Sequence, residues 1–147
     1  MILYLDTSAL VKLLIREVRS DEALATFDAA EFAATSEITY AEACAALARN
    51  DRRRGSSRRQ LEGELEALDR FWREFSKVQV LTKKAGQIAL SHSLRGMDAI
   101  QLAAALTLRD GLRACDIDAL VVFATFDHEL SDAAEREGFA TLGGDIR

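Results

Sequence analysis

Four carboxylates occupy positions in this sequence where side chains do chemistry. Asp6 directly follows the apolar run Ile2-Leu3-Tyr4-Leu5, and Asp127 follows the apolar run 119–124 after two residues. Asp98 opens a helical stretch behind Gly96, and Glu42 lies at the margin of an apolar stripe formed by Ile38, Ala41, Ala45 and Ala48. Taken singly, each has a plain structural reading. An Asp ahead of a helix caps it, Asp98 with Gln101 three residues on has capping-box spacing, and Glu42 is a solvated helix charge. Taken together, carboxylates at short range raise one another's pKa or push apart, and they are read as having no basic partner in the local sequence. A hard divalent cation resolves that repulsion. Mg²⁺ or Mn²⁺ takes oxygen ligands, keeps several waters and binds phosphate oxygens, and a set without His or Cys selects them over zinc. The chemistry such a site supports is phosphodiester hydrolysis by a metal-activated water, with metal charge stabilising the phosphate and the departing oxygen.

The elements that must position these acids are short apolar runs alternating with helical stripes. Residues 2–5 read as a strand, and Ala9, Leu10, Leu13 and Leu14 then recur at helical spacing. A helix is expected over 20–30, a buried strand over 32–36, and a helix from Ile38 into an arginine cluster. Gly55-Ser56-Ser57 breaks that helix and caps the next, where Leu61, Leu65, Leu68, Phe71, Trp72 and Phe75 step by three and four. The pair forms a helical hairpin with a basic tip. Further on, a strand is expected over 78–81, a helix capped by Thr82 to about Leu94 and broken by Gly96, and a helix from near Asp98 stopped by Gly111. The best buried strand is 119–124, followed by a helix to about Glu137 and a last strand over 139–142. Continuous apolar strands separated by helices argue an α/β protein with a mostly parallel sheet covered on both faces. Ligands bind such sheets outside the carboxyl ends of the strands, where Asp6 and Asp127 fall.

Composition narrows the alternatives. A chain of 147 residues, 49% hydrophobic and 29% charged, is expected to form a single domain over 1–147 with a sizeable core, which excludes intrinsic disorder. No apolar run approaches the roughly 20 residues that span a bilayer, so a cytoplasmic location without membrane contact is expected. Cys44 and Cys115 are isolated, which removes a disulfide framework and a structural zinc site. Phosphate-binding and dinucleotide-binding glycine loops and a nucleophile elbow are absent, so the corresponding nucleotide and serine-hydrolase chemistries lose their anchors. Residues 49–59 carry six arginines against Asp51 alone in a chain of net charge −5. Any polyanion is therefore expected to bind a local basic patch rather than a generally basic surface.

The segments Leu5-Asp6-Thr7-Ser8-Ala9-Leu10-Val11-Lys12-Leu13, Ala41-Glu42, Asp98-Ala99-Ile100-Gln101-Leu102-Ala103-Ala104-Ala105 and Thr125-Phe126-Asp127 occur in an order that resembles the PIN-domain ribonucleases, and the small chain resembles the VapC-type toxins among them. The resemblance runs over nearly the whole chain. It implies a three-layer α/β/α sandwich, Mg²⁺- or Mn²⁺-dependent RNA cleavage, a homodimer, and inhibition by a VapB-type antitoxin. Residue by residue, Asp6, Glu42 and Asp98 match the three central acids, catalytic and metal-ligating, and Asp127 matches the fourth acid of the T-x-D element that Thr125 opens. Ser8 matches the position that steadies the first Asp. The interval between Asp98 and Asp127 is long and contains Asp116, which competes for the fourth place; Asp127 is preferred because it follows the expected strand.

On this reading Asp6 and Asp98 ligate the metal directly, Glu42 directly or through water, and Asp127 orients the attacking water or holds a second metal. Asp6→Asn is expected to remove activity without unfolding the chain. Lys12, one turn after Ser8, and Arg49, Arg52 and Arg53 are candidate contacts to RNA phosphate or to antitoxin carboxylates. The Phe71, Trp72 and Phe75 stripe reads first as core and second as a partner face. Two other functions stay open from sequence: a non-catalytic PIN-like module that binds RNA or protein, and a phosphotransfer protein using Asp6 as phosphoryl acceptor.

Overall fold

A computed structural model describes residues 1–143; the last four residues of the expected domain, 144–147, lie outside the described residues. The first half runs β1 (Ile2–Leu5), α1 (Thr7–Leu14), α2 (Ser20–Asp28), β2 (Phe32–Ser36), α3 (Thr39–Arg54) and α4 (Arg58–Glu74). The second runs β3 (Ser76–Val78), α5 (Thr82–His92), α6 (Gly96–Ala114), β4 (Val121–Ala124), α7 (His128–Arg136) and β5 (Ala140–Leu142). The five strands pair in parallel in the order β3-β2-β1-β4-β5.

β1 is central, and its side chains alternate between two cores because a strand points successive residues to opposite faces. Tyr4 joins Phe123 of β4 in a core closed by α5, α6 and α7, with Leu94, Leu102, Leu106 and Leu130 buried there. Leu3 and Leu5 face the other way, into Leu10 of α1, Ala43 and Leu47 of α3, and Leu68 of α4. Burying such side chains is worth about 1.5–3 kcal/mol each, which a parallel sheet collects on both faces. The result is the expected three-layer α/β/α sandwich.

The hairpin forms where the turn chemistry indicated. Gly55 ends α3 in the left-handed region at φ 60°, and Ser57 caps α4 by accepting from the Gln60 N–H. Leu61, Leu65, Leu68 and Phe71 press α4 onto the sheet's second core. The aromatic stripe is core: the Phe27 ring meets Phe71 edge-on at 5.3 Å and Phe75 at 5.9 Å, while Trp72 packs on Tyr40 at 5.2 Å.

Several boundaries differ from the sequence reading. α6 begins at Gly96, because the break before it is made by Ser93 in the left-handed region at φ 55° rather than by the glycine. Asp98 therefore lies in the first turn and is not the cap. Gly111 does not stop α6, which runs to Ala114; a glycine inside a long helix costs only about 1 kcal/mol. Thr82 is the first residue of α5 rather than its cap, and Phe75 ends α4 as its C-cap. The third strand is Ser76–Val78, earlier than expected, because its register follows Ala34–Ser36 of β2. Among the described residues no helix is long and apolar enough to cross a membrane.

Candidate active site

The chain steps from β1 outward to β2 and β3, then returns past β1 to β4 and β5. The carboxyl ends of β1 and β4 therefore flank the point where the winding reverses, the usual ligand crevice of such sheets. Four helix N-termini open onto it. Asp6 is the N-cap of α1 and Asp127 the N-cap of α7, each accepting from the backbone three residues on, while Glu42 and Asp98 sit in the first turns of α3 and α6. The partial positive charge of helix N-termini favours anions there. All four acids line one cavity of about 750 Å³.

Asp6 is the most enclosed, 4% exposed. Its Oδ1 accepts from the Ala9 N–H at 2.9 Å and the Ser8 hydroxyl at 2.8 Å, and its Oδ2 accepts from the Thr125 hydroxyl at 2.7 Å. Each hydroxyl also accepts from the turn after β4, Ser8 from the Phe126 N–H at 2.7 Å and Thr125 from the Asp127 N–H at 3.1 Å. Ser8 and Thr125 thus tie the end of β1 to the turn that carries Asp127. Burial pushes the Asp6 carboxyl up to about 6 from its usual 3.8; the three hydrogen bonds oppose the shift and Glu42 adds to it.

Glu42 is held by a second network that the sequence reading missed. The Tyr4 hydroxyl donates to Gln101 Oε1 at 2.8 Å, which fixes the amide so that Nε2 donates to Glu42 Oε2 at 2.7 Å and to Thr39 at 3.0 Å. The Thr7 hydroxyl adds a bond to the same Glu42 oxygen at 2.6 Å. Gln101 is 3% exposed and spends its side chain on these partners instead of on a capping box with Asp98. The available signal was the pairing of a polar Gln101 with an otherwise apolar helix face, one turn after Asp98.

Two of the acids do have a basic partner, which corrects the reading of an unrelieved cluster. Arg95 Nε donates to Asp98 Oδ2 at 2.8 Å and its Nη2 donates to Asp127 Oδ2 at 3.1 Å. The i,i+3 spacing of Arg95 and Asp98 was visible in the sequence; the bridge to Asp127 was not. Asp116 is exposed in the turn after α6, ahead of β4, and lies outside the cavity wall, whereas Asp127 lines it.

The basic candidates separate. Lys12 lines the cavity, yet its Nζ donates to the Val18 carbonyl at 2.9 Å and to Glu17 at 3.4 Å. Arg49 lines the same cavity without a hydrogen-bond or ion-pair partner among the described residues. Arg49 and Arg53 share the wall of a smaller adjoining cavity of about 260 Å³, with Arg53 donating to Asn50 at 3.3 Å. Arg52 is exposed and lines neither.

The sequence matches the PIN domain family over residues 3–136. This chain belongs to the PIN-domain family. Within it, the chain is similar to ribonuclease VapC45 and ribonuclease VapC49 of Mycobacterium tuberculosis, 34% identical to each over 141 residues covering 93% of this chain and 92% of the relative. That places this PIN domain among the VapC-type ribonucleases. Its fold is shared with the crystal structure of PAE2754 from Pyrobaculum aerophilum (TM-score 0.66, 20% identity, 95% of this chain and 82% of that one). FitAcB from Neisseria gonorrhoeae is likewise similar (TM-score 0.64, 21% identity, 97% and 96% covered). So is VapC20 of Mycobacterium tuberculosis, described as a sarcin-ricin loop cleaving toxin (TM-score 0.59, 18% identity, 94% and 96% covered).

The PIN family implies a divalent cation, and the donor chemistry of this PIN domain fits one. The cavity presents carboxylate oxygens without His or Cys, the set that hard cations prefer. Glu42 uses Oε2 for its partners and Asp98 uses Oδ2, so each keeps a second oxygen for a ligand. Among the described residues no three such side chains stand close enough to share one ion as placed, with Asp98 and Asp127 engaged by Arg95.

Proposed function

We propose that this chain is a metal-dependent endoribonuclease, the toxin of a toxin–antitoxin pair, acting on RNA with Mg²⁺ or Mn²⁺. The observation that carries the reading is the convergence of Asp6, Glu42, Asp98 and Asp127 from four helix N-termini on one cavity at the sheet's reversal point. Membership of the VapC-type PIN domains supports RNA as the substrate and a VapB-type antitoxin as partner. One domain acting as a cytoplasmic homodimer belongs to the same proposal by family likeness.

When bound, the cation supplies the positive charge that activates water and offsets charge developing on the phosphate. The chain supplies the rest. Asp98, Asp127 and Glu42 offer oxygens at the cavity wall, and the Tyr4–Gln101 pair fixes which Glu42 oxygen remains for the ligand. Asp6 is held rigidly by Ser8, Thr125 and Ala9, with Oδ2 carrying a single protein partner. Arg49 and Arg53 continue the wall toward the basic hairpin tip, a path of the right charge for the flanking phosphates. A phosphoryl acceptor role suits Asp6 poorly, since a buried carboxyl with three hydrogen bonds is a shielded nucleophile.

The test is cleavage of a pool of structured RNAs by antitoxin-free protein with Mg²⁺ or Mn²⁺, with EDTA, and with Asp98→Asn. Cleavage is expected only with metal, and Asp98→Asn is expected to lower it by about 100-fold or more. Metal-independent cutting, or an unaffected variant, would remove the acids from the mechanism.

A further inference from the structure

Arg95 is placed against the preferences of its own element. It is the N-cap of α6 and makes no side-chain capping bond. That position favours Ser, Thr, Asp or Asn, and a cation beside a helix N-terminus is repelled by the unpaired N–H groups. Its side chain nevertheless lines the cavity and spans two carboxylates from different helices, Asp98 at 2.8 Å and Asp127 at 3.1 Å. Helix stability does not account for that position. The two acids do.

The hold is weak by design of its surroundings, because the Arg95 side chain is 73% exposed. An ion pair made by so exposed a guanidinium contributes little to stability and exchanges easily. A divalent cation is a stronger partner for the same oxygens, and once it neutralises them the guanidinium has no acid to oppose. Arg95 lines the same cavity as Arg49, and its side chain is largely open to solvent. Its planar donor fork matches a phosphate diester as well as it matches two carboxylates.

We propose that Arg95 is an exchanging counter-ion. With the carboxylates bare it spans Asp98 and Asp127, and with a divalent cation on them it binds a phosphate of the RNA strand entering the cavity. The proposal rests on the ribonuclease reading above, and it makes Arg95 both a competitor for the metal and a substrate-binding residue. It follows that one substitution moves two affinities in opposite directions.

The experiment compares wild type, Arg95→Gln and Arg95→Lys, each first shown to keep its thermal midpoint. Calorimetry with Mn²⁺ alone is expected to show Arg95→Gln binding the ion about threefold to tenfold more tightly, the size of an exposed ion pair removed. Anisotropy with a short mixed-sequence RNA in Ca²⁺, its integrity checked on a gel, is expected to show the same variant binding RNA several-fold more weakly. Its salt slope should be lower by about one phosphate contact. Arg95→Lys, a single point charge, should fall between the two in both assays. Mn²⁺ affinity that is unchanged or weaker in Arg95→Gln, or RNA affinity equal to wild type, overturns the proposal for Arg95 alone. Wild type that binds no RNA in Ca²⁺ overturns this proposal, because Arg95 then has no phosphate to hold, while the ribonuclease reading stands or falls separately on the cleavage test.

Discussion

Asp6 is a residue whose placement works against the metal-free fold. Its carboxyl is raised from 3.8 to about 6 by burial. Below about pH 4 it is protonated in both folded and unfolded chains, and the burial penalty is absent. Between about pH 4 and 6 the folded chain retains a proton that the unfolded chain has released, so this group makes stability fall as pH rises. Above that window the folded chain carries the whole cost, about 3 kcal/mol by order of magnitude. Asp6→Asn is therefore expected to abolish cleavage while raising metal-free stability at pH 7.5 by about 1–3 kcal/mol, a gain that vanishes near pH 4. Urea unfolding at the two pH values checks it, and an equal difference at both would show that the buried charge is not the source. The sequence exposed this acid because it follows an apolar strand directly; the partners of Glu42 stayed hidden, because Thr7 and Gln101 lie 35 and 59 positions from it and meet it only in the folded chain.

At the scale of elements, the short edge strand β5 does more than close the sheet. Its last residue accepts from the Thr125 N–H through the Leu142 carbonyl at 2.9 Å, beside the hydroxyl that holds Asp6. Gly143 follows at φ 107°, where an added Cβ would lie 1.7 Å from the Thr125 carbonyl oxygen. The obstacle is backbone, which has no rotamer to give. Gly143→Ala is expected to cost about 3 kcal/mol or more and to lower cleavage beyond the loss of folded protein, since Thr125 must shift. A melt and a specific activity both equal to wild type would remove β5 from the support of the site. Element types were legible from apolar period and turn residues, as at Gly55 and Ser57. Their ends were less so: Gly96 and Gly111 were read as breaks, yet both lie inside α6, because a helix packed along its length tolerates a glycine and Ser93 had already ended the preceding one.

Across the whole molecule, charge is divided between an acidic centre and a basic hairpin tip in a chain of net charge −5. Arg49 and Arg53 connect the two through adjoining cavities, while Arg52 faces solvent. Reversing Arg52 and Arg53 to Glu is expected to leave stability within about 0.5 kcal/mol and to flatten the salt dependence of RNA binding. Binding at several ionic strengths checks this, with Arg53→Glu alone accounting for most of the change; an unaltered slope would assign the tip to solvent. The alternation of apolar runs with helical stripes determined the α/β class from sequence alone, because a doubly covered parallel strand must be apolar on both faces. The same order put Asp6 and Asp127 at strand ends, since in a parallel sheet those ends share one edge. Only the tertiary structure decided which cations meet the acids, because Arg95 reaches Asp127 across 32 positions by the packing of α6 beside α7. It also decided that Asp127 rather than Asp116 lines the cavity, for the two lie at opposite ends of β4, a distinction of direction that spacing along the chain does not carry.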